Sequence, residues 1–256
     1  MSRIGNYELI RLIAEGGFGR TYEAKEIYCP KIKACLKQNI NLTNDDVQML
    51  SKEAELMAQV HHHSLPAYRS FFPAPDGSHI LAMQFIEGKT LEHSVKKHGC
   101  IEPEAISWVT QRLLNALYYL HGHGIVHGDV KPNNIIVLPA EHNAVLLDYG
   151  LSSIKPKATT KAEGYTTIFA APEIMGGKPP LPESDLHSLG LTMIYALGGD
   201  PITRGMPEHV PAKLADYFRE LAQHDPLQRP SWEKGDLVAR LSDIRLEIFG
   251  SRQSVK

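Results

Sequence analysis

The chain has 256 residues and a formal net charge of -2, with 43% hydrophobic and 22% charged residues. That is the composition of a globular protein long enough for one large domain or for two lobes that share a cleft. The lack of a basic excess argues against a nucleic-acid or anionic-membrane binder. Three cysteines, Cys29, Cys35 and Cys100, form no CxxC pair and read as small buried hydrophobes in a reducing compartment. The opening MSRIGNYELI has no apolar run of signal-peptide length, and the most apolar stretch, residues 189–199, is too short to span a bilayer. The expectation is a cytoplasmic protein without membrane insertion in this chain.

In chain order, YELIRLI, RTYEAKEIY and KIKACLKQN read as short strands broken by glycine and turn residues. Val47, Leu50, Ala54, Met57 and Val60 then recur at helical spacing, with Thr43 or Asn44 as the N-cap. Strand-like runs follow at residues 67–73 and 79–85. After EGKTL (residues 87–91) the texture turns helical: Pro103 suits a first helical turn, with Ile106, Val109, Leu113, Leu117 and Leu120 on one face. The runs IIVLP and AVLLD suit a hairpin. Helical patterns return over residues 184–197, 211–223 and 232–248, and Trp108 and Trp232 are expected to pack on apolar helix faces.

Several stretches carry chemistry. EGGFGRTY, residues 15–22, lies between two strand patterns, so it is a hairpin turn. Its glycines would let backbone N–H groups approach phosphate oxygens, with Phe18 as a cover, although hairpins also use glycine with no ligand. A strand follows it, which excludes a dinucleotide-binding turn. Lys37 sits in an alternating strand and is either a solvated residue or a phosphate-facing cation held by a carboxylate, for which Glu53 and Glu55 on the next helix are candidates. Asp148 ends an apolar run and precedes Tyr149 and Gly150, a pattern that turns also use. HGDVKPNN, residues 127–134, packs a histidine, an aspartate, a lysine and two asparagines into one loop. Phosphoryl transfer needs a carboxylate to orient the attacking hydroxyl, oxygen ligands for Mg²⁺ and a cation on the moving group. Asp129, then Asp148 with Asn134, then Lys131 with Lys37 match those needs in order. The run His61, His62 and His63 cannot converge well on one tetrahedral ion. Lys155, Lys157 and Lys161 read as a solvated charge run.

Over essentially its whole length the chain resembles a eukaryotic-type (Hanks-type) Ser/Thr protein kinase domain. EGGFGRTY resembles the glycine loop, ACLK the lysine strand, KEAELMAQV the helix with its glutamate and LAMQFIEG the hinge. HGDVKPNN resembles the catalytic loop, DYG the metal-binding turn and AAPE the end of the activation segment. The order of these motifs is far more specific than any one of them. The resemblance implies an α+β bilobal kinase fold, a small β-rich N-lobe with one helix and a larger helical C-lobe. It implies a single kinase domain over residues 1–256, with residues 1–86 as N-lobe and hinge, 87–250 as C-lobe and 251–256 as a tail. It implies ATP and Mg²⁺, or Mn²⁺ in its place, as cofactors and a protein Ser/Thr hydroxyl as acceptor.

Residue by residue, the resemblance implies nucleotide contacts from Ala14, Gly16, Gly17, Phe18 and Gly19. Lys37 would contact the α/β-phosphates and pair with Glu53, with Met83 at the back of the adenine pocket and the backbone of Gln84 and Ile86 on adenine. Asp129 would be the catalytic base, Lys131 the charge stabiliser, and Asn134 and Asp148 the metal ligands. Thr166 would brace Asp129 and Lys131, Glu173 would pair with Arg229, and Asp185 would anchor the catalytic-loop backbone. His127 is then structural, packing near DYG, and Asn133 is solvated.

The chain departs from the family pattern at four places. Ala14 replaces the first loop glycine and Tyr149 the usual Phe. Gly128 replaces the arginine that reads a phosphate on the activation segment, so phosphorylation at Thr159 or Thr160 is expected to be dispensable. Residues 198–210 are too few for the usual substrate-docking helix αG, which looks deleted or reduced to a turn. Two rival functions remain open from the residues. HGD gives footing to a small-molecule phosphotransferase of the antibiotic or choline kinase type, against Lys131, Thr166, Arg229 and SDLHSLG. A pseudokinase scaffold would normally have lost one of Lys37, Glu53, Asp129, Asn134 or Asp148.

Overall fold

A computed structural model describes residues 2–16 and 19–252. The chain separates into two compact units, Met1–Glu87 and Gly88–Lys256.

The first unit is a six-stranded antiparallel sheet with one helix. Its strands are β1 (Arg3–Ile4), β2 (Tyr7–Gly16), β3 (Gly19–Glu26), β4 (Lys33–Gln38), β5 (Tyr68–Pro73) and β6 (His79–Gln84), in spatial order β1-β2-β3-β4-β6-β5. Period-two burial explains β4: Ala34 and Leu36 face the core with Tyr7, Ala24, Ile80 and Ala82, while Cys35 and Lys37 lie half-buried on the other face. Helix α1 (Asn44–Gln59) starts where expected. The Thr43 hydroxyl accepts from the Asp46 N–H, and Asp45 and Asp46 sit at the positive end of the helix dipole. Its inward face buries Leu50, Ala54, Leu56 and Met57, together with Glu53.

The second unit is mainly helical. It contains β7 (Lys89–Thr90), α2 (Leu91–His98), α3 (Pro103–Gly122), β8 (Ile125–Val126), β9 (Ile135–Leu138), β10 (Asn143–Leu146), β11 (Ser153–Ile154), α4 (Pro172–Met175), α5 (Pro182–Ala196), α6 (Ala212–Leu221) and α7 (Leu237–Phe249). Pro103 opens α3, and the five apolar residues of its expected face are all buried. The expected hairpin is β9–β10, with Ile135 opposite Leu146. Helix α5 is apolar nearly all round and is buried accordingly from Ser184 to Ile194.

Some expectations need correction. The last helix starts at Leu237, not at Trp232, because the Asp236 carboxylate caps it by accepting from the Val238 and Ala239 N–H groups. Trp232 therefore lies before the helix, half-buried, and its indole makes a polar contact described below. Cys29 is exposed, and Cys35 and Cys100 are half-buried, so the cysteines are not core hydrophobes. Helix α2, capped by the Thr90 hydroxyl, and the short pairs β1–β2 and β8–β11 were not expected. Between α5 and α6 the described residues form turns with a single bridge, Asp200 to Gly205, and no helix. No helix among the described residues is long and apolar enough to cross a membrane.

Candidate active site

In the first unit, β2 and β3 form the glycine hairpin, closed by the pair Gly16–Gly19. Gly19 adopts φ +144°, and a Cβ there would lie 2.1 Å from the Gln38 carbonyl oxygen, so only glycine fits. Ala14 sits opposite Thr21 inside β2 with an ordinary negative φ, so the alanine costs the strand nothing. Gly17 and Phe18 lie outside the described residues. Lys37 Nζ is 2.7 Å from Glu53 Oε2, and both side chains are largely shielded from water. The pairing holds the ammonium in a fixed position. Glu55, the other candidate, is exposed.

Met83 is buried in β6 opposite Cys35. The Gln84 N–H already donates to the Ala67 carbonyl at 2.8 Å, so any purine contact from Gln84 must use its carbonyl. Ile86 lies in the half-buried segment that follows β6.

In the second unit, the loop between β8 and β9 gathers its polar groups tightly. Asp129 is 8% exposed. Its Oδ1 accepts from the Thr166 hydroxyl at 2.9 Å, and its Oδ2 accepts from Asn134 Nδ2 at 2.9 Å and lies 2.6 Å from Lys131 Nζ. Lys131 also donates to Thr166 Oγ1 at 3.0 Å, so one hydroxyl joins the ammonium to the carboxylate. Asn134 Nδ2 donates to the Asp129 main-chain carbonyl as well. Its amide nitrogen thus faces Asp129, which leaves Oδ1 as the atom a cation could use. The Leu147 N–H donates to the Asn134 carbonyl, bringing Asn134 beside the strand that leads to Asp148. Asp148 adopts φ +65°, and its Oδ1 accepts from the Gly150 N–H. An amide oxygen and a carboxylate are the hard donors that suit Mg²⁺.

His127 is fully buried. Its Nδ1 accepts from the Asp129 N–H at 3.3 Å, so its Nε2–H donates to the Leu147 carbonyl at 3.1 Å, and the ring packs 5.5 Å from Tyr149. Both ring nitrogens are used by the backbone, so His127 has none left for base catalysis. Asn133 is exposed. Gly128 adopts φ +82°.

The start of the following segment is fixed by backbone pairing. Ser153 and Ile154 pair with Val126 and Ile125, Ser152 Oγ donates to the His127 carbonyl, and the Lys155 N–H donates to the Gly124 carbonyl.

A buried ion pair braces the segment's far end. Arg229 Nη1 and Nη2 reach the two oxygens of Glu173 at 2.6 and 2.8 Å. Arg229 also donates to the carbonyls of Gln223, Glu183 and His224, and Ser184 Oγ donates to Glu173. Burial pushes the Glu173 carboxyl up, but hydrogen bonds from Arg229 and Ser184 hold it below the usual carboxylate range. Nearby on α5, burial and the Arg229 charge push His187 down to about 3. His62 is lowered to about 4 by burial and by the adjoining His63, and its Nδ1 accepts from the Ser64 N–H.

Asp185, also on α5 and 1% exposed, accepts from the N–H groups of His127 and Gly128, each at 2.8 Å. Sequence reasoning missed two residues that join it, His121 and Trp232. A histidine at a helix end and a tryptophan beyond a distant proline gave no signal of their meeting.

Residues 7–235 match the family model for the protein kinase domain. Similar proteins include Serine/threonine-protein kinase F of Synechocystis sp., 31% identical over 76% of this chain and 44% of that protein. Serine/threonine-protein kinase D of the same organism is 31% identical over 76% of this chain and 41% of its own length. Serine/threonine-protein kinase ppk11 of Schizosaccharomyces pombe is 26% identical over 81% of this chain and 70% of its own length. The chain therefore belongs to the protein kinase family, and its sheet-rich first unit and helical second unit are the α+β architecture of that family. It spans less than half the length of the two Synechocystis relatives.

Proposed function

We propose that this chain is a protein serine/threonine kinase that transfers the γ-phosphoryl of ATP to a Ser or Thr hydroxyl. The observation that carries this reading is the Thr166 hydroxyl, which accepts from Lys131 and donates to Asp129. It holds a cation and a carboxylate together at one point, as hydroxyl activation requires.

In this reading Asp129 orients the acceptor hydroxyl and takes its proton as the new O–P bond forms and the bond to the ADP oxygen breaks. The proton then passes from Asp129 to solvent. Lys131 offsets the charge on the moving phosphoryl. Lys37, held by Glu53, contacts the α/β-phosphates, and the hairpin backbone at Gly16 and Gly19 lies over them. Asn134 Oδ1 and Asp148 would hold Mg²⁺ or Mn²⁺, which when bound neutralises phosphate charge. Met83 lines the adenine pocket, with the Gln84 carbonyl and the Ile86 N–H on the purine edge.

The whole of residues 1–256 acts as one kinase domain in this proposal, in the cytoplasm. Gly128 brings no guanidinium to read a phosphate, and backbone pairing from Ser152 to Lys155 already orders the start of the activation segment. Activity without activation-segment phosphorylation follows. The turns between α5 and α6 stand where αG would lie, so substrate selection uses another surface.

The test is to incubate the purified chain with Mg·ATP and a generic protein substrate and to measure phosphate on Ser and Thr. Loss of transfer in Asp129→Asn is expected. Transfer only to an amino-sugar or alcohol metabolite, or nucleotide binding without transfer, would overturn the proposal.

A further inference from the structure

Asp185 does not hold the catalytic loop alone. Its Oδ2 accepts a third hydrogen bond, from His121 Nε2 on α3 at 2.8 Å. The other nitrogen of that imidazole, Nδ1, meets Trp232 Nε1 at 2.7 Å. Indole nitrogen is a donor only. His121 Nδ1 must therefore be the acceptor, and it carries no proton. A ring with one acceptor nitrogen is the neutral imidazole, and its proton sits on Nε2, pointed at Asp185. The tautomer is fixed by geometry from both sides, by the indole donor on Nδ1 and the carboxylate acceptor on Nε2.

The chain of bonds then runs Trp232, His121, Asp185, and from there to the amides of His127 and Gly128. Gly128 directly precedes Asp129. Without the indole N–H, the imidazole keeps its Nε2–H bond to Asp185 but loses the hydrogen bond that holds the ring from its other side, so the donor to the carboxylate is less firmly placed. Asp185 and His121 are both almost wholly buried, so water cannot easily mend the loss. Ring packing supports the same placement: Trp232 meets Tyr118 edge-on at 5.2 Å, which orients the indole toward His121.

We infer that Trp232 is a positioning residue for the transfer reaction: its indole N–H holds the His121 ring that steadies Asp185 and, through it, the backbone on which Asp129 sits. The inference rests on the kinase reading for its effect on turnover, but its structural part does not need turnover.

Three measurements on the full chain test it. Nitrogen NMR of the wild-type protein should find His121 with a bare Nδ1 and a protonated Nε2. In Trp232→Phe, which keeps an aromatic ring and removes the donor, the His127 and Gly128 amides should exchange with solvent about tenfold faster, the loss of roughly one net hydrogen bond. Amides in the interior of α5 should keep their wild-type rates. With Mg·ATP and a protein substrate, kcat in this variant should fall about 3- to 10-fold while KM for ATP stays within about twofold, since the loss is in placing the base. A proton on His121 Nδ1 in the wild type would overturn the inference. So would wild-type exchange at His127 and Gly128 in Trp232→Phe, or equal loosening throughout α5, which would mark a general structural role. Absence of transfer by the wild type would count against the kinase reading alone, because the tautomer and the amide rates still decide this one.

Discussion

Gly128 and Leu151 approach so closely that a Cβ on the glycine would lie 2.5 Å from the leucine carbonyl oxygen, and the glycine adopts φ +82°. Residue 128 thus does more than lack an arginine. Its bare Cα lets the start of the activation segment close onto the catalytic loop. Gly128→Ala is expected to lower stability by about 1–3 kcal/mol, from left-handed strain plus the displaced carbonyl. Urea denaturation of the two proteins measures this. Equal midpoints would show that the loop accommodates the methyl group.

The proposed activity without an activation-segment phosphate makes a separate prediction. The Thr160 hydroxyl accepts from the Lys157 N–H in a local turn, and no arginine follows His127 to receive a phosphate. The double variant Thr159→Ala, Thr160→Ala should retain transfer within about threefold of wild type, the scale of one weak local hydrogen bond. Abolished turnover in a folded double variant would contradict this.

The Thr166 bridge can be tested by shape and polarity together. Thr166→Val keeps the volume and removes the hydroxyl that joins Asp129 to Lys131. A loss of about 10- to 100-fold in kcat is expected, since a misplaced base costs orientation as well as a bond. Thr166→Ser should recover most of it. Steady-state kinetics on both variants separates the hydroxyl from the methyl group.

Arg229 is fully buried and binds Glu173 through two nitrogens. Arg229→Met leaves the Glu173 carboxylate buried without its guanidinium partner. Destabilisation of about 3–5 kcal/mol is expected for such a broken pair, read from the shift in urea midpoint.

Acid should weaken the fold before it protonates the carboxylates. His187 is held near 3 by burial and by Arg229, far below the value it takes when unfolded. Between the two values the unfolded chain binds a proton that the folded chain refuses, so stability is full above the unfolded value and falls as pH drops. His187 alone contributes a loss of about 1.4 kcal/mol per pH unit below about 6.5. Glu173, also lowered, adds to the loss at more acid pH. Thermal melting at pH 7 and pH 5 should differ, and His187→Leu should flatten the dependence.

The sequence by itself determined the alternation of β4, the capped start of α1, the apolar face of α3 and the β9–β10 hairpin. Each is a local pattern, set by side-chain periodicity or by a cap within four residues. It also determined the family, through the order of its motifs, and the residue types that phosphoryl transfer needs. Tertiary structure alone decided what those residues touch. Gly128 could be read only as a missing arginine until its φ and the Leu151 carbonyl were seen. Trp232 was expected on an apolar helix face, yet Asp236 delays that helix and the indole goes to His121. Such contacts join residues far apart in sequence, and they depend on hydrogen-bond directions that no one-dimensional period encodes.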